Sequence, residues 1–146
     1  MTNFHQILLA EDDADDRELF KEALRLVDPA IHLAMVDDGE KLMSHLKTAA
    51  VIPDYIFLDL NMPGKNGLEC LKEIRGAKRL KDITIAIYST SASEKDIEET
   101  FHNGANVYIK KPNDFSLLKR VLEKVVRTSF QYREGKFNRD LFLLRI

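Results

Sequence analysis

Four short apolar runs of this 146-residue chain end abruptly in residues that carry charge or a hydroxyl. "ILLA" runs into Glu11, Asp12 and Asp13, and "YIFL" into Asp59. "ITIAIY" runs into Ser89 and Thr90, and "VYI" into Lys110, Lys111 and Pro112. An acid that closes a buried strand is poorly solvated, so it is costly there unless paired or used. If the first and third strands are neighbours, several of these carboxylates converge on one small volume. Like charges at that range must share a proton or hold a cation. All-oxygen donors suit a hard divalent ion, and Mg2+ binds through one or two carboxylates together with waters and phosphate oxygens. Lys111 adds a fixed positive charge and Ser89 a hydroxyl donor, both matched to phosphoryl oxygens. Asp59 is then a candidate nucleophile toward phosphorus, with cation, lysine and hydroxyl neutralising the transferred group.

Such an arrangement needs a frame that brings strand ends together, and the periodicity supplies one. "HQILLA" reads as a strand, and "DADDRELFKEALRLVD" follows with Leu19, Phe20, Ala23, Leu24 and Val27 at helical spacing until Pro29 stops it. "IHLAMV", "YIFLD", "ITIAIYS" and "NVYIK" read as further strands. Between and after them "DGEKLMSHLKTA", "LECLKEIRG", "SEKDIEETFHNG" and "DFSLLKRVLEKVVRT" read as helices, with Gly76 closing the third and Ser93 capping the fourth. Five strands alternating with five helices imply an α/β fold, a parallel doubly wound sheet covered on both faces. In such sheets ligands bind outside the carboxyl ends of the strands, where the charged residues fall.

Composition narrows the class. Hydrophobic residues make up 45% and charged residues 32%, with a formal net charge of −2, the balance of a globular domain with no nucleic-acid footprint. No apolar run is long enough to span a membrane, and "MTNFHQILLAEDD" lacks the features of a signal peptide. One cysteine, Cys70, is expected to be a small packing residue and fits a reducing compartment, so a cytoplasmic location is expected. The four histidines show no metal spacing, and Lys78, Arg79 and Lys81 read as a solvated basic loop.

The motifs "LLAEDD", "FLDLNMPGKNG", "YST" and "YIKKP", in this order, resemble those of the receiver domain of bacterial two-component response regulators. Asp59 precedes Lys111 by 52 positions and Ser89 precedes it by 22, in keeping with that family. The resemblance implies a flavodoxin-like strand order of 2-1-3-4-5. It implies that Asp59 accepts a phosphoryl group, and that Mg2+ is held by Asp12 directly, Glu11 through water, Asp59, and the backbone carbonyl of Asn61. Ser89 is then the switch hydroxyl, drawn inward by the phosphoryl group, and Tyr108 the aromatic switch that fills the space it leaves. Lys111 is the family's lysine, followed by a cis peptide to Pro112. The implied donor is a phosphohistidine on a sensor histidine kinase or a histidine phosphotransfer protein. The chain is then not an enzyme beyond catalysing its own phosphotransfer and slow dephosphorylation. Departures are Glu11 in place of the commoner Asp, Thr90 beside Ser89, Asn113 after Pro112, and the doubled Lys110–Lys111, of which strand alternation turns only one into the site.

The receiver is expected over residues 1–128, with 129–146 a C-terminal extension holding Phe130, Tyr132, Phe137, Leu141, Phe142, Leu143, Leu144 and Ile146. So much apolar surface is expected to pack on its own domain or on a second subunit. It resembles the extensions of stand-alone receivers paired with bacterial phytochrome-type kinases, so a homodimer is expected, with no nucleic-acid or membrane partner. Alternatives fare less well. A haloacid dehalogenase-type phosphotransferase needs a carboxylate two residues after its nucleophile, where this chain has Asn61. A flavodoxin needs a phosphate-cradling loop after strand one, where this chain has acids. A calcium loop in "EDDADDRELFKE" fails at its sixth position, Asp16. A pseudo-receiver that binds partners without phosphate remains the second reading.

Overall fold

In the computed structural model, residues 6–134 and 143–144 are described, with side chains for residues 6–127. The strands are β1 (Gln6–Ala10), β2 (His32–Val36), β3 (Tyr55–Leu58), β4 (Thr84–Ser89), β5 (Val107–Lys110) and β6 (Leu143–Leu144). The helices are α1 (Ala14–Val27), α2 (Gly39–Thr48), α3 (Gly67–Gly76), α4 (Glu94–His102) and α5 (Phe115–Glu134). All pairings are parallel and the strand order is β2-β1-β3-β4-β5-β6. The five expected strands therefore adopt the flavodoxin-like order 2-1-3-4-5. Leu143 and Leu144 add a sixth at the β5 edge, opposite Tyr108 and Ile109. The expected boundary at residue 128 falls inside α5, which continues to Glu134. What was expected of the extension's other apolar side chains lies outside the described residues.

Strand alternation splits the core in two. Leu8, Ala10, Ile56, Leu58, Ile85, Ile87 and Tyr108 face α2, α3 and α4. Ile7, Leu9, Tyr55, Phe57, Ala86, Tyr88, Val107 and Ile109 face α1 and α5, where Phe20, Phe57 and Tyr88 meet edge to face. Side chains on both faces are buried, which is why the strands read as continuous apolar runs rather than alternating ones.

Helix starts carry local caps. Asp13, Asp38 and Ser93 each accept the backbone N–H three residues on, and Asn66 with Glu69 forms a capping box for α3. Gly76 lies within α3, whose C-cap is Ala77, so it is the helix's last residue rather than the stop beyond it. The basic stretch after α3 is not merely solvated. Lys78–Leu80 form one 3₁₀ turn, and the Arg79 guanidinium donates to Leu46 O and Ala49 O, satisfying carbonyls at the end of α2. Arg75 likewise ties α3 to Gly104 O and to Asn106 Oδ1, which also accepts the Ile85 N–H. Leu19, expected on the buried face of α1, is instead 47% exposed. Among the described residues no helix is long and apolar enough to cross a membrane.

Candidate functional site

The register decides where the acids meet. Ala10 lies opposite Leu58, so the next residues on β1 and β3, Glu11 and Asp59, leave the sheet side by side. Glu11 N donates to Val36 O and Asp59 N to Ala10 O, continuing the ladders past the last paired residues. Ser89 pairs with Lys110, and Lys111 N donates to Ser89 O at 2.8 Å. The loop after Asp59 returns tightly, with Gly67 N donating to Leu60 O. A Cβ on Gly67 would stand 2.3 Å from the Asp59 carbonyl oxygen, so a glycine is needed where α3 starts against the end of β3.

Glu11, Asp12 and Asp59 present carboxylate oxygens that all lie within 4.8 Å of one another. Glu11 is fully buried and Asp59 nearly so, while Asp12 is exposed at the rim. The Glu11 Oε2 accepts the Asp13 N–H at 3.1 Å, and Asp59 Oδ1 accepts the Asn61 N–H at 3.1 Å. The Lys111 ammonium reaches Glu11 Oε1 at 2.5 Å, Asp16 Oδ2 at 3.2 Å and Asp59 Oδ2 at 3.3 Å. Lys110 is exposed, so alternation directs one lysine of the pair inward as expected. The Tyr88 ring lies below the ammonium, 5.5 Å from centroid to Nζ. The cis peptide expected after Lys111 is absent; the bond to Pro112 is trans, and the side chain still reaches all three carboxylates.

The electrostatics follow from burial. Lack of water pushes the Glu11 carboxyl up to about 8, and the hydrogen bonds from Lys111 and from the Asp13 backbone only partly offset it. Lys111 moves up as well, because its hydrogen bond to Glu11 and the charge of Asp59 outweigh its own burial. Two buried carboxylates thus share one ammonium, an arrangement short of positive charge and made of hard oxygen donors. A divalent cation fits it.

Ser89 is fully buried at the end of β4, and its Oγ accepts the Ser91 N–H at 3.2 Å. Tyr108 is buried on the other side of this loop and donates from Oη to Ser91 O at 2.7 Å. The Ser91 hydroxyl in turn donates to Asp96 Oδ2 of α4 at 2.7 Å. Tyr108, expected to move inward, thus already occupies the buried place beneath the β4–α4 loop. Next to Lys111 a cleft of about 220 Å³ opens between α1 and the start of α5, lined in part by Asp16, Leu19, Tyr88, Pro112 and Phe115.

Sequence reasoning placed Glu11, Asp12, Asp59, Asn61, Ser89, Tyr108 and Lys111 at this end of the sheet, and all of them are there. It missed Asp16, Tyr88 and Asp96. Asp16 lies in the first turn of α1 and Tyr88 within β4, and neither carries a signal in the linear chain that points at Lys111.

Comparison with known proteins agrees with this geometry. The family model described as "response regulator receiver domain" matches residues 7–123. The phosphorylated cyanobacterial phytochrome response regulator RcpA superposes with a TM-score of 0.80 at 33% identity, covering 91% of this chain and 97% of that one. The Mn2+-bound form of response regulator Rcp1 superposes with a TM-score of 0.77 at 29% identity, covering 92% and 99%. Among curated proteins, the response regulator Rcp1 of Synechocystis sp. is 31% identical over 82% of this chain and 84% of its own length. The chemotaxis protein CheY of Pseudomonas aeruginosa is 30% identical over 82% and 94%. With a matched model over most of its length and the acidic pocket, hydroxyl and lysine at the expected strand ends, the chain belongs to the response-regulator receiver family.

Proposed function

We propose that the chain is the phosphoacceptor of a His-Asp phosphorelay, with Asp59 taking a phosphoryl group from a sensor histidine kinase or a histidine phosphotransfer protein. The observation that carries this reading is the buried Asp59 carboxylate, 3.3 Å from the Lys111 ammonium and beside two further acids. An Asp59 carboxylate oxygen attacks phosphorus, the new O–P bond forms, and the P–N bond to the donor imidazole breaks with its electron pair staying on nitrogen. Lys111 holds positive charge against the phosphoryl oxygens, and the Ser89 hydroxyl offers them a donor. Glu11, Asp12 and Asp59, with the Asn61 backbone carbonyl, are the groups that would hold Mg2+, which supplies further positive charge at those oxygens. The product is a mixed anhydride. Neither Asn61 nor Ser91 can serve as a general base for water, so its hydrolysis is slow. The chain is in this reading a signalling protein rather than an enzyme acting on other substrates.

The output runs through protein contacts. The phosphoryl group biases the Ser89–Ser91–Tyr108 network and with it the face made by α4, β5 and α5. The apolar composition of the extension from residue 129 supports a homodimer. The phytochrome regulators among the similar structures support a phytochrome-type kinase as the donor. A single, buried cysteine fits the reducing cytoplasm.

The experiment is treatment of the whole chain with acetyl phosphate and Mg2+, read by intact mass, peptide mapping and light scattering. A gain of one phosphoryl group on Asp59 that vanishes with chelator is expected, and a rise in scattering mass makes self-association the output. No mass gain favours the pseudo-receiver. A second expected result concerns pH. Because burial raises Glu11 to about 8, a proton competes with the cation, so Mg2+ binds more tightly as pH rises through that value. Calorimetric titration is expected to show affinity roughly thirtyfold weaker at about pH 6.5 than at about pH 9. Without metal the same shift acts on the fold. The native state keeps a proton that the unfolded chain has released, so stability falls as pH rises from 4.5 to about 8. An affinity independent of pH overturns this account of Glu11.

A further inference from the structure

With Asp59 a plain carboxylate, the Lys111 ammonium has one carboxylate for each of its N–H donors. Two of them, Glu11 and Asp59, belong to the pocket already described. The third, Asp16, comes from the first turn of α1, with Oδ2 at 3.2 Å from Nζ. A phosphoryl group on Asp59 brings new oxygens that need this same ammonium, so a present partner must give way. Glu11 is fully buried and would lose its hydrogen-bond partner away from water, while Asp59 keeps the ammonium through the phosphoryl oxygens it then carries. The Asp16 side chain is 37% exposed and can be rehydrated at little cost. The Tyr88 ring lies beneath the ammonium, 5.5 Å from centroid to Nζ.

We propose that Asp16 is a competing counter-ion that holds Lys111 on the α1 side and is released when the phosphoryl group forms on Asp59, so that it slows phosphorylation without touching the phosphoryl group. The proposal rests on the phosphoacceptor reading above. Asp16 acts through Lys111 and is a positioning residue, with two consequences. It stabilises the unphosphorylated pocket more than the transition state, and it carries word of the phosphate to the α1 rim of the cleft it shares with Leu19 and Phe115.

The test compares Asp16→Asn with Asp15→Asn in the whole chain. Both remove one charge from the same helical turn, but Asp15 is exposed and is not among the partners of Lys111. Initial rates of phosphorylation by acetyl phosphate with Mg2+, followed by intact mass, are expected to rise about three- to fivefold in Asp16→Asn. In Asp15→Asn the rate is expected to change less than about twofold, and added salt to erase that change. The ¹H–¹⁵N signal of the Lys111 ammonium adds a reading that general destabilisation does not produce. It is expected to differ between wild type and Asp16→Asn without a phosphoryl mimic, and to coincide once beryllofluoride occupies Asp59. An Asp16→Asn rate at or below wild type, an equal gain in Asp15→Asn, or ammonium signals that stay apart with beryllofluoride overturns the competing role. A wild-type chain that takes up no phosphoryl group overturns the phosphoacceptor reading, and this proposal with it.

Discussion

Asp59→Asn is expected to abolish phosphorylation by any donor while leaving the fold intact. The carboxylamide has no anionic oxygen to attack phosphorus, so uptake of phosphoryl from acetyl phosphate is expected to fall at least about a thousandfold, to the floor of an intact-mass measurement. The structure says why folding survives. Asn at this position keeps an oxygen for the Asn61 N–H, which now reaches Asp59 Oδ1 at 3.1 Å. Lys111 retains Glu11 and Asp16 as partners. The substitution also removes one of two buried carboxylates that repel each other, so urea unfolding of the metal-free protein is expected to shift by no more than about 1 kcal/mol. Phosphorylation of Asp59→Asn at an undiminished rate would move the acceptor elsewhere in the pocket.

Lys111→Met behaves in the opposite way, because it touches both stability and chemistry. Methionine matches the lysine stem in length and lack of branching, so packing over Tyr88 is largely kept. What disappears is the ammonium that reaches both the Glu11 and the Asp59 carboxylates, both buried. Removing one side of a buried ion pair costs about 3–5 kcal/mol when the remaining charge finds no partner, and here a pair of carboxylates is left. Part of that loss is avoided by protonation, since Glu11 is already pushed up to about 8 and rises further without its ammonium. The loss measured in urea is therefore expected to be smaller at about pH 5.5 than at about pH 8.5, and to shrink when saturating Mg2+ supplies the missing charge. Phosphoryl transfer from acetyl phosphate is expected to slow by about 10²–10³, the cost of one preorganised charge at the reacting oxygens. Equal stability of wild type and Lys111→Met at alkaline pH, in the absence of metal, would show that the ammonium does not neutralise the buried acids.

How the pocket appeared in the linear chain bears on both results. Strand-end acids are visible because a carboxylate interrupts an apolar run at a place where burial makes it expensive. Asp59 after "YIFL" and Glu11 after "ILLA" are conspicuous for that reason. Lys111 is visible through the same break after "VYI", and the alternation of side chains along β5 allows only one of the two lysines inward, Lys110 being the exposed one. Helix caps at Ser93 and the stop before Pro29 are equally local, since each depends on groups within one turn.

Other features are not local and had no such signature. Arg79 reads as a solvated cation until the turn after α3 brings it to the end of α2, 33 residues away in the chain. Leu19 fits the helical pattern but lines the cleft beside Lys111 instead of the core. The linear chain carries the alternation of elements and the acids, hydroxyl and lysine at the strand ends. Each of these follows from near neighbours in the chain and from the cost of burying a charge. Contacts between distant segments set which groups share the Lys111 ammonium, that Tyr108 lies inside bonded to Ser91, and that Leu143 and Leu144 pair with β5. Those depend on register and helix placement across separations as long as the 95 residues between Asp16 and Lys111, and an ammonium takes whichever acceptors folding brings within about 3 Å.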